Sequence, residues 1–256
     1  MTGLAGRIAL VTGGGRGAGR AIALGLAEDG ADVAVNYRRD EASAAETVAE
    51  IEALGRRAIA VQASVDDPEA DAAMIDRVCG ELGPISILVN NAGQASRGQS
   101  VAKTEDWEVA KLLGTHAIGP HHVCRLALPH MRECERGDIV FISSVATDHH
   151  AANGAPYNMG KAAMEALAMT LAKEEQRNGI RVNVVAPGLI DTEMGRRLVK
   201  AGGVDDISTL SAGFPFGRVC QPEDIADVVR FLVGPQGSYV SGTRLRVDGG
   251  GQTLMR

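Results

Sequence analysis

Aromatic side chains are scarce: one Trp, three Tyr and four Phe make up 3% of the 256 residues. The core must therefore come from aliphatic side chains, and the abundance of Ala and Val suits a parallel sheet under closely packed helices. No apolar run reaches membrane-spanning length, and no signal or transit pattern opens the chain. A soluble cytoplasmic protein with no membrane partner is expected. Basic residues do not predominate. Lys and Arg number 26 against 32 Asp and Glu, for a net charge of −6, which argues against a nucleic-acid partner whose phosphates need a basic face. The four cysteines, Cys79, Cys124, Cys134 and Cys220, show neither C-x-x-C spacing nor clustering with His. Zinc, and metal sites generally, are not expected, and free buried thiols are. Linkers, low-complexity tracts and repeats are also missing.

What is present is regular alternation. Short apolar runs at 8–11, 33–35, 58–61, 85–89, 139–142, 182–185 and 245–247 are separated by helical patterns near 41–54, 68–82, 105–132, 156–177 and 222–233. Such alternation predicts βαβ units with right-handed crossovers, hence an α/β, Rossmann-type doubly wound parallel sheet of about seven strands with helices on both faces. The length fits one domain spanning 1–256. The 32 glycines suit many tight strand–helix turns. The least regular stretch, about 193–218, reads as a mobile lid.

Two motifs carry chemistry. After Ile8-Ala9-Leu10-Val11 comes Thr12-Gly13-Gly14-Gly15-Arg16-Gly17-Ala18-Gly19, then a helical pattern. A strand, a glycine turn and a helix start in that order make a phosphate-binding site, because the backbone can approach a pyrophosphate and the helix N-terminus offers free N–H groups. Further on, Tyr157 and Lys161 stand at i and i+4 and project from one helix face. An ammonium beside a phenol favours the tyrosinate, so the Tyr157 pKa is expected to fall towards the working pH. A phenol so poised can exchange a proton with a carbonyl or hydroxyl oxygen. Alone, the pair is equally a surface Tyr and a solvated Lys.

Together with Asn90-Asn91-Ala92-Gly93, Ile142-Ser143-Ser144, Pro187-Gly188, Arg218 with Gln221-Pro222-Glu223-Asp224, and Ser241-Gly242 with Val247-Asp248-Gly249-Gly250, these motifs resemble the short-chain dehydrogenase/reductase family over nearly the whole chain. The flavour is that of the 3-oxoacyl-carrier-protein reductases and related ketoreductases. The resemblance implies that Tyr157 is the general acid for carbonyl reduction, or the base for alcohol oxidation. Lys161 would bind the nicotinamide ribose, and Ser144 would steady the substrate oxygen. Ser144 lies 13 residues before Tyr157, the family's interval, and Ser143 would serve the backbone.

The resemblance also places the cofactor. Gly13, Gly15, Gly17 and Gly19 would hold the pyrophosphate; Asn91, Ala92 and Gly93 would cap the fourth strand beside the adenosine. Pro187, Gly188, Ile190 and Thr192 would meet the carboxamide, with Thr192 equally a helix N-cap. NAD-preferring members carry an Asp at the end of the second strand, where Tyr37 stands here. Arg38 and Arg16 can form charge-assisted hydrogen bonds to a 2′-phosphate, so NADP(H) is expected, with NAD(H) as the alternative. Ser64-Val65 replaces the Asp-Val that contacts adenine. The family's additional Asn is absent: aligning back from Gly119 puts His116 there, counting forward from Trp107 gives Gly114, and the helix carries an insertion or shift. His116 is a proton-relay candidate or a structural histidine.

Gln94, the 145–155 loop with His149 and His150, and the lid should shape the substrate pocket. Reading His149 or His150 as a contact for a polar or anionic substrate competes with plain solvent exposure. An acyl-carrier-protein or CoA thioester would need basic docking residues, for which Arg125, Arg132, Arg136 and Lys173 are candidates. A homotetramer or dimer is expected from the resemblance, with Ala162, Ala163, Ala166 and Ala168 permitting close helix approach. Alternatives to the NADPH-dependent ketoreductase are an oxidative alcohol dehydrogenase with the same site and a non-catalytic dinucleotide-binding scaffold.

Overall fold

The computed structural model describes residues 3–251. Seven parallel strands form one sheet in the order β3-β2-β1-β4-β5-β6-β7, comprising β1 (Ile8–Val11), β2 (Asp32–Tyr37), β3 (Ala58–Gln62), β4 (Ile87–Asn90), β5 (Gly137–Ile142), β6 (Ile180–Pro187) and β7 (Arg244–Val247). Alternate residues of a strand serve opposite faces. In β1, Ala9 and Val11 join the core under helices α1 (Gly17–Glu28), α2 (Glu41–Ala53) and α9 (Pro222–Val233). Ile8 and Leu10 join the core under α3 (Pro68–Glu81), α5 (Gly119–Met131) and α7 (Ala155–Glu174). Burial on both faces explains why the strands read as continuous apolar runs instead of alternating patterns. Strand order reverses between β1 and β4, and a crevice at the carboxyl ends of the strands opens at such a switch point.

Some helices, α2 and α3 among them, start at a side-chain cap. The Asp40 carboxylate accepts from Ser43 N at the head of α2, and Asp67 accepts from Glu69 N and Ala70 N before Pro68 opens α3. Such caps satisfy N–H groups that have no intrahelical partner. The head of α1 differs: Arg16 provides no side-chain cap, and no acidic residue lies in its first turn.

Two segments depart from expectation. The helix expected over 105–132 is broken: α4 (Asp106–Leu113) passes through a π-helical turn, Gly114–Ile118, into α5. A π turn widens the helix, reorients the side chains on it and recurs at functional sites. The stretch near 193–218 is not irregular throughout, because it holds α8 (Glu193–Ala201). Thr192 caps this helix, accepting from Gly195 N at 3.1 Å. Leu198 and Met194 stay exposed on it, and Leu189, Ile207 and Val219 form a small core of their own beneath.

Candidate active site

The site is built from the carboxyl ends of β1, β4, β5 and β6. After β1, Gly17 adopts φ +54°, and a Cβ on Gly19 would fall 2.2 Å from Gly13 O. Glycine is required at both positions, at the first for its left-handed backbone and at the second for the close approach. Asn36 and Asn91 fasten this loop: Asn36 Oδ1 accepts from Gly13 N at 3.1 Å, and Asn91 Nδ2 donates to Thr12 O at 2.9 Å. Asn91 N and Ala92 N both donate to Thr12 Oγ1, so the 90–93 segment works as a brace. The uncapped first turn of α1, behind a cradle that added side chains would fill, fits the pyrophosphate of a dinucleotide. Thr192 reaches this cradle from β6: a Cβ on Gly17 would lie 3.2 Å from its Cγ2.

Beyond the cradle lie the residues expected to meet the adenosine. Tyr37 is half-buried at the end of β2 and Arg38 is exposed. The nearest acid in sequence, Asp40, is occupied as the α2 cap, its carboxyl held below its ordinary value by the Ser43 hydrogen bonds. Arg16 is ion-paired across the cleft with Glu193 of α8 at 2.7 Å. Ser64 donates to the Asp66 carboxylate, which supplies a carboxylate beside Ser64 without any shift of the loop. Val65 is buried.

At the end of β5, Ser144 Oγ accepts from Ala146 N at 3.1 Å, fixing a short turn into α6 (Ala146–His149). Ser143 does not use its hydroxyl on the backbone; it donates to Glu165 Oε1 at 2.5 Å. Lys161 is buried and donates from Nζ to Ile142 O at 2.7 Å, with Nζ 5.8 Å from the Tyr157 ring centroid. Burial brings the Lys161 pKa down to about 7, against the opposing charge of Glu165. The fall expected for Tyr157 is not found: desolvation holds its phenol above the ordinary value, with the Ser144 hydroxyl pulling the other way.

His116, on the π turn, is completely buried, its ring edge-on to Tyr157 at 5.3 Å. Its Nε2 bonds to Gln94 O at 2.9 Å, while Nδ1 is buried without a partner. Desolvation and the Lys161 charge bring its pKa down to about 3. Both residues reached by the two counts, Gly114 and His116, lie on the π turn, and His116 is the one whose ring meets Tyr157.

Beyond Val145 opens a cavity of about 260 Å³ with apolar walls from Leu189, Phe214 and Val247 and with Arg218, Asp224 and Asp248 also on it; Ser144, Tyr157 and Lys161 are not among its lining residues. His149 lines it and His150 does not: His150 closes α6 at φ +47° instead. Gln94 turns its amide to Thr115 Oγ1 at 3.0 Å and is not among the lining residues. Arg218, read from sequence only as part of a motif, is ion-paired with Asp224. Sequence reasoning missed Glu165 and Arg244, which form a partly buried ion pair behind Lys161 at 2.9 Å. The continuation of the Tyr157, Lys161 spacing to a third step is the signal that would have found Glu165.

A family model described as Enoyl-(Acyl carrier protein) reductase matches residues 13–252. The 3-oxoacyl-[acyl-carrier-protein] reductase FabG of Staphylococcus aureus is 36% identical, over 94% of this chain and 96% of its own. The 3beta-hydroxysteroid dehydrogenase 1 of Eggerthella lenta is also 36% identical, over 96% and 94%. Among solved structures, a short chain dehydrogenase from Burkholderia cenocepacia in complex with NADP superposes with a TM-score of 0.88 at 38% identity, covering 97% of this chain and 99% of that one. The glycine cradle, the seven-stranded sheet and these relatives agree, and the chain belongs to the short-chain dehydrogenase/reductase family of oxidoreductases.

Proposed function

We propose that the protein is an NADPH-dependent reductase of ketones. The observation that carries this reading is the convergence of Ser144, Tyr157 and Lys161 at the carboxyl end of β5, where the Ser144 hydroxyl meets the Tyr157 phenol, Lys161 lies under its ring and Val145 leads to the cavity. The bound dinucleotide supplies the hydride; the protein supplies position and a proton. Tyr157, kept protonated by its enclosure, gives its proton to the carbonyl oxygen as that oxygen gains charge. Ser144 donates a hydrogen bond to the same oxygen. Lys161 would leave Ile142 O for the ribose, and its ammonium steadies the phenolate that remains. His116, neutral and with a free Nδ1 acceptor, would hold a water on the route by which Tyr157 regains its proton.

The cofactor reading rests on the absence of an acid at Tyr37 and on Arg16 and Arg38, with Ser64, Asp66 and Val65 at the adenine. Solved relatives in complex with NADP and NADPH support it.

The substrate reading is a ketone with an apolar body, a class that includes short 3-oxoacyl thioesters. Docking of a carrier protein is not supported by the basic residues first considered. Arg132 is paired with Glu175 and Arg136 with Asp138. Arg136 precedes β5 and Lys173 ends α7, at the edge of the sheet away from Ser144.

We infer a homotetramer or dimer built on α4, α5 and α7. Ala162 and Ala166 lie exposed on α7 near exposed Trp107 and Ile118 of the adjoining segment, whereas Ala168 packs into its own core. The cofactor reading is tested by titrating the protein with NADPH and NADH and following nicotinamide fluorescence. Tighter binding of NADPH supports it, and tighter binding of NADH overturns it.

A further inference from the structure

Tyr157, Lys161 and Glu165 follow one another at i, i+4 and i+8 on α7, so the three side chains form a single stripe. Glu165 stands behind Lys161 and is held from three sides. Its Oε1 accepts from the Ser143 hydroxyl at 2.5 Å, from the Thr147 hydroxyl at 2.9 Å and from Arg244 Nε at 2.9 Å. Thr147 also lies 3.0 Å from Ser144 O, with one proton to share between the two acceptors. Arg244 completes the frame: Nη2 donates to Thr147 Oγ1 at 2.8 Å and to Ser144 O at 3.2 Å, and pairs with Asp148 at 3.2 Å. Glu165 and Arg244 are each less than one-fifth exposed, so this is not a loose surface pair.

The geometry points to Glu165, oriented by Arg244, Ser143 and Thr147, as a positioning residue for Lys161 that supplies the negative charge behind its ammonium. The inference rests on the role proposed for Lys161, but it concerns Lys161 itself and can be read without substrate or cofactor. An ammonium with 4% exposure and a single carbonyl as its hydrogen-bond partner tends to lose its proton unless a carboxylate stands close. The groups that face it are Tyr157 on its own helix, neutral His116 on the π turn and Ile142 O on β5, leaving Glu165, one helical turn away and beyond ion-pair distance, as the anion that acts on it. Arg244 and Asp148 lie one step further out, and Arg246 pairs with Asp148 and Asp248. Two carboxylates, Glu165 and Asp148, thus meet Arg244 on the side of Lys161, which leaves the assembly net negative there. Arg244 keeps Glu165 from swinging out to water, and its fork reaches the same turn that carries Ser144.

The test is a pH titration of Lys161 by NMR in the cofactor-free protein labelled with [13Cε]lysine. The chain has five lysines, at 103, 111, 161, 173 and 200, and Lys161→Arg identifies the signal. Wild-type Lys161 is expected to titrate near 7. Glu165→Gln keeps the size of the side chain and removes its charge, and should move the midpoint down by about half a pH unit or more. A purely structural role predicts the opposite, because a loosened site admits water and returns the lysine towards its ordinary, higher value. Should Glu165→Gln fail to fold with Arg244 unpaired, Glu165→Gln/Arg244→Met replaces the ion pair with a neutral one, and the midpoint should fall by less, because a cation leaves with the anion. An unchanged or raised midpoint in the variant that folds overturns the inference. Failure to find any reducible ketone would instead count against the proposed function and would leave this titration unaffected.

Discussion

His116 Nε2 lies 2.9 Å from the carbonyl oxygen of Gln94 and 3.5 Å from its N–H, and the shorter contact sets the tautomer of the ring. A carbonyl can only accept, so Nε2 carries the proton and Nδ1 is left as a buried acceptor. With a pKa near 3 the ring is neutral throughout the working range. Its imidazole signals should therefore show no titration between pH 5 and 8, and a midpoint near 6.5 would contradict this. His116→Asn, which keeps an acceptor, should retain turnover within about tenfold, and His116→Leu should lose about a hundredfold.

Arg16 and Arg38 are expected to divide the recognition of the 2′-phosphate. Replacing either with Ala should weaken NADPH binding by about ten- to a hundredfold and leave NADH unchanged. Arg16 pairs with Glu193 at 2.7 Å, so the carboxylate competes for the same cation. Glu193→Gln should tighten NADPH by a few-fold and not NADH. Fluorescence titrations measure both, and equal effects on the two dinucleotides would remove Arg16 from the phosphate site.

Asp71, on α3, is fully buried with neither carboxylate oxygen hydrogen-bonded among the described residues. Desolvation, with repulsion from Asp67 and Asp66, raises its pKa to about 8. The folded chain thus holds a proton that the unfolded chain releases near pH 4. This group's contribution is fully present below that value and is lost as the pH rises through about 8. Asp71→Asn should therefore gain stability over wild type, by an amount that grows between pH 5 and 8 to the order of a few kcal/mol. Urea unfolding at the two pH values checks it; a difference that does not change with pH would contradict the assignment.

The sheet was legible because parallel strands buried on both faces leave apolar runs, and the glycine loop and Tyr157–Lys161 spacing are local patterns. The π turn was visible only as a two-residue disagreement in counting to His116, since one residue's offset leaves the apolar periodicity almost intact. Helix α8 was hidden because Met194 and Leu198 face outward and only Gly195 is buried, which gives no core-facing stripe. The direction of the Tyr157 shift depends on enclosure, which spacing does not report. Glu165 and Arg244 are 79 residues apart in sequence, and only the placement of β7 beside β6 brings them together.

The central claim is that Tyr157 is the proton donor in an NADPH-dependent ketone reduction. The most direct measurement is the oxidation of NADPH, followed by absorbance, with a panel of ketones that includes a short 3-oxoacyl thioester, for the wild type and Tyr157→Phe. The account predicts that Tyr157→Phe binds NADPH as the wild type does and turns over about a hundred- to ten-thousandfold more slowly. Turnover by Tyr157→Phe at the wild-type rate would contradict it.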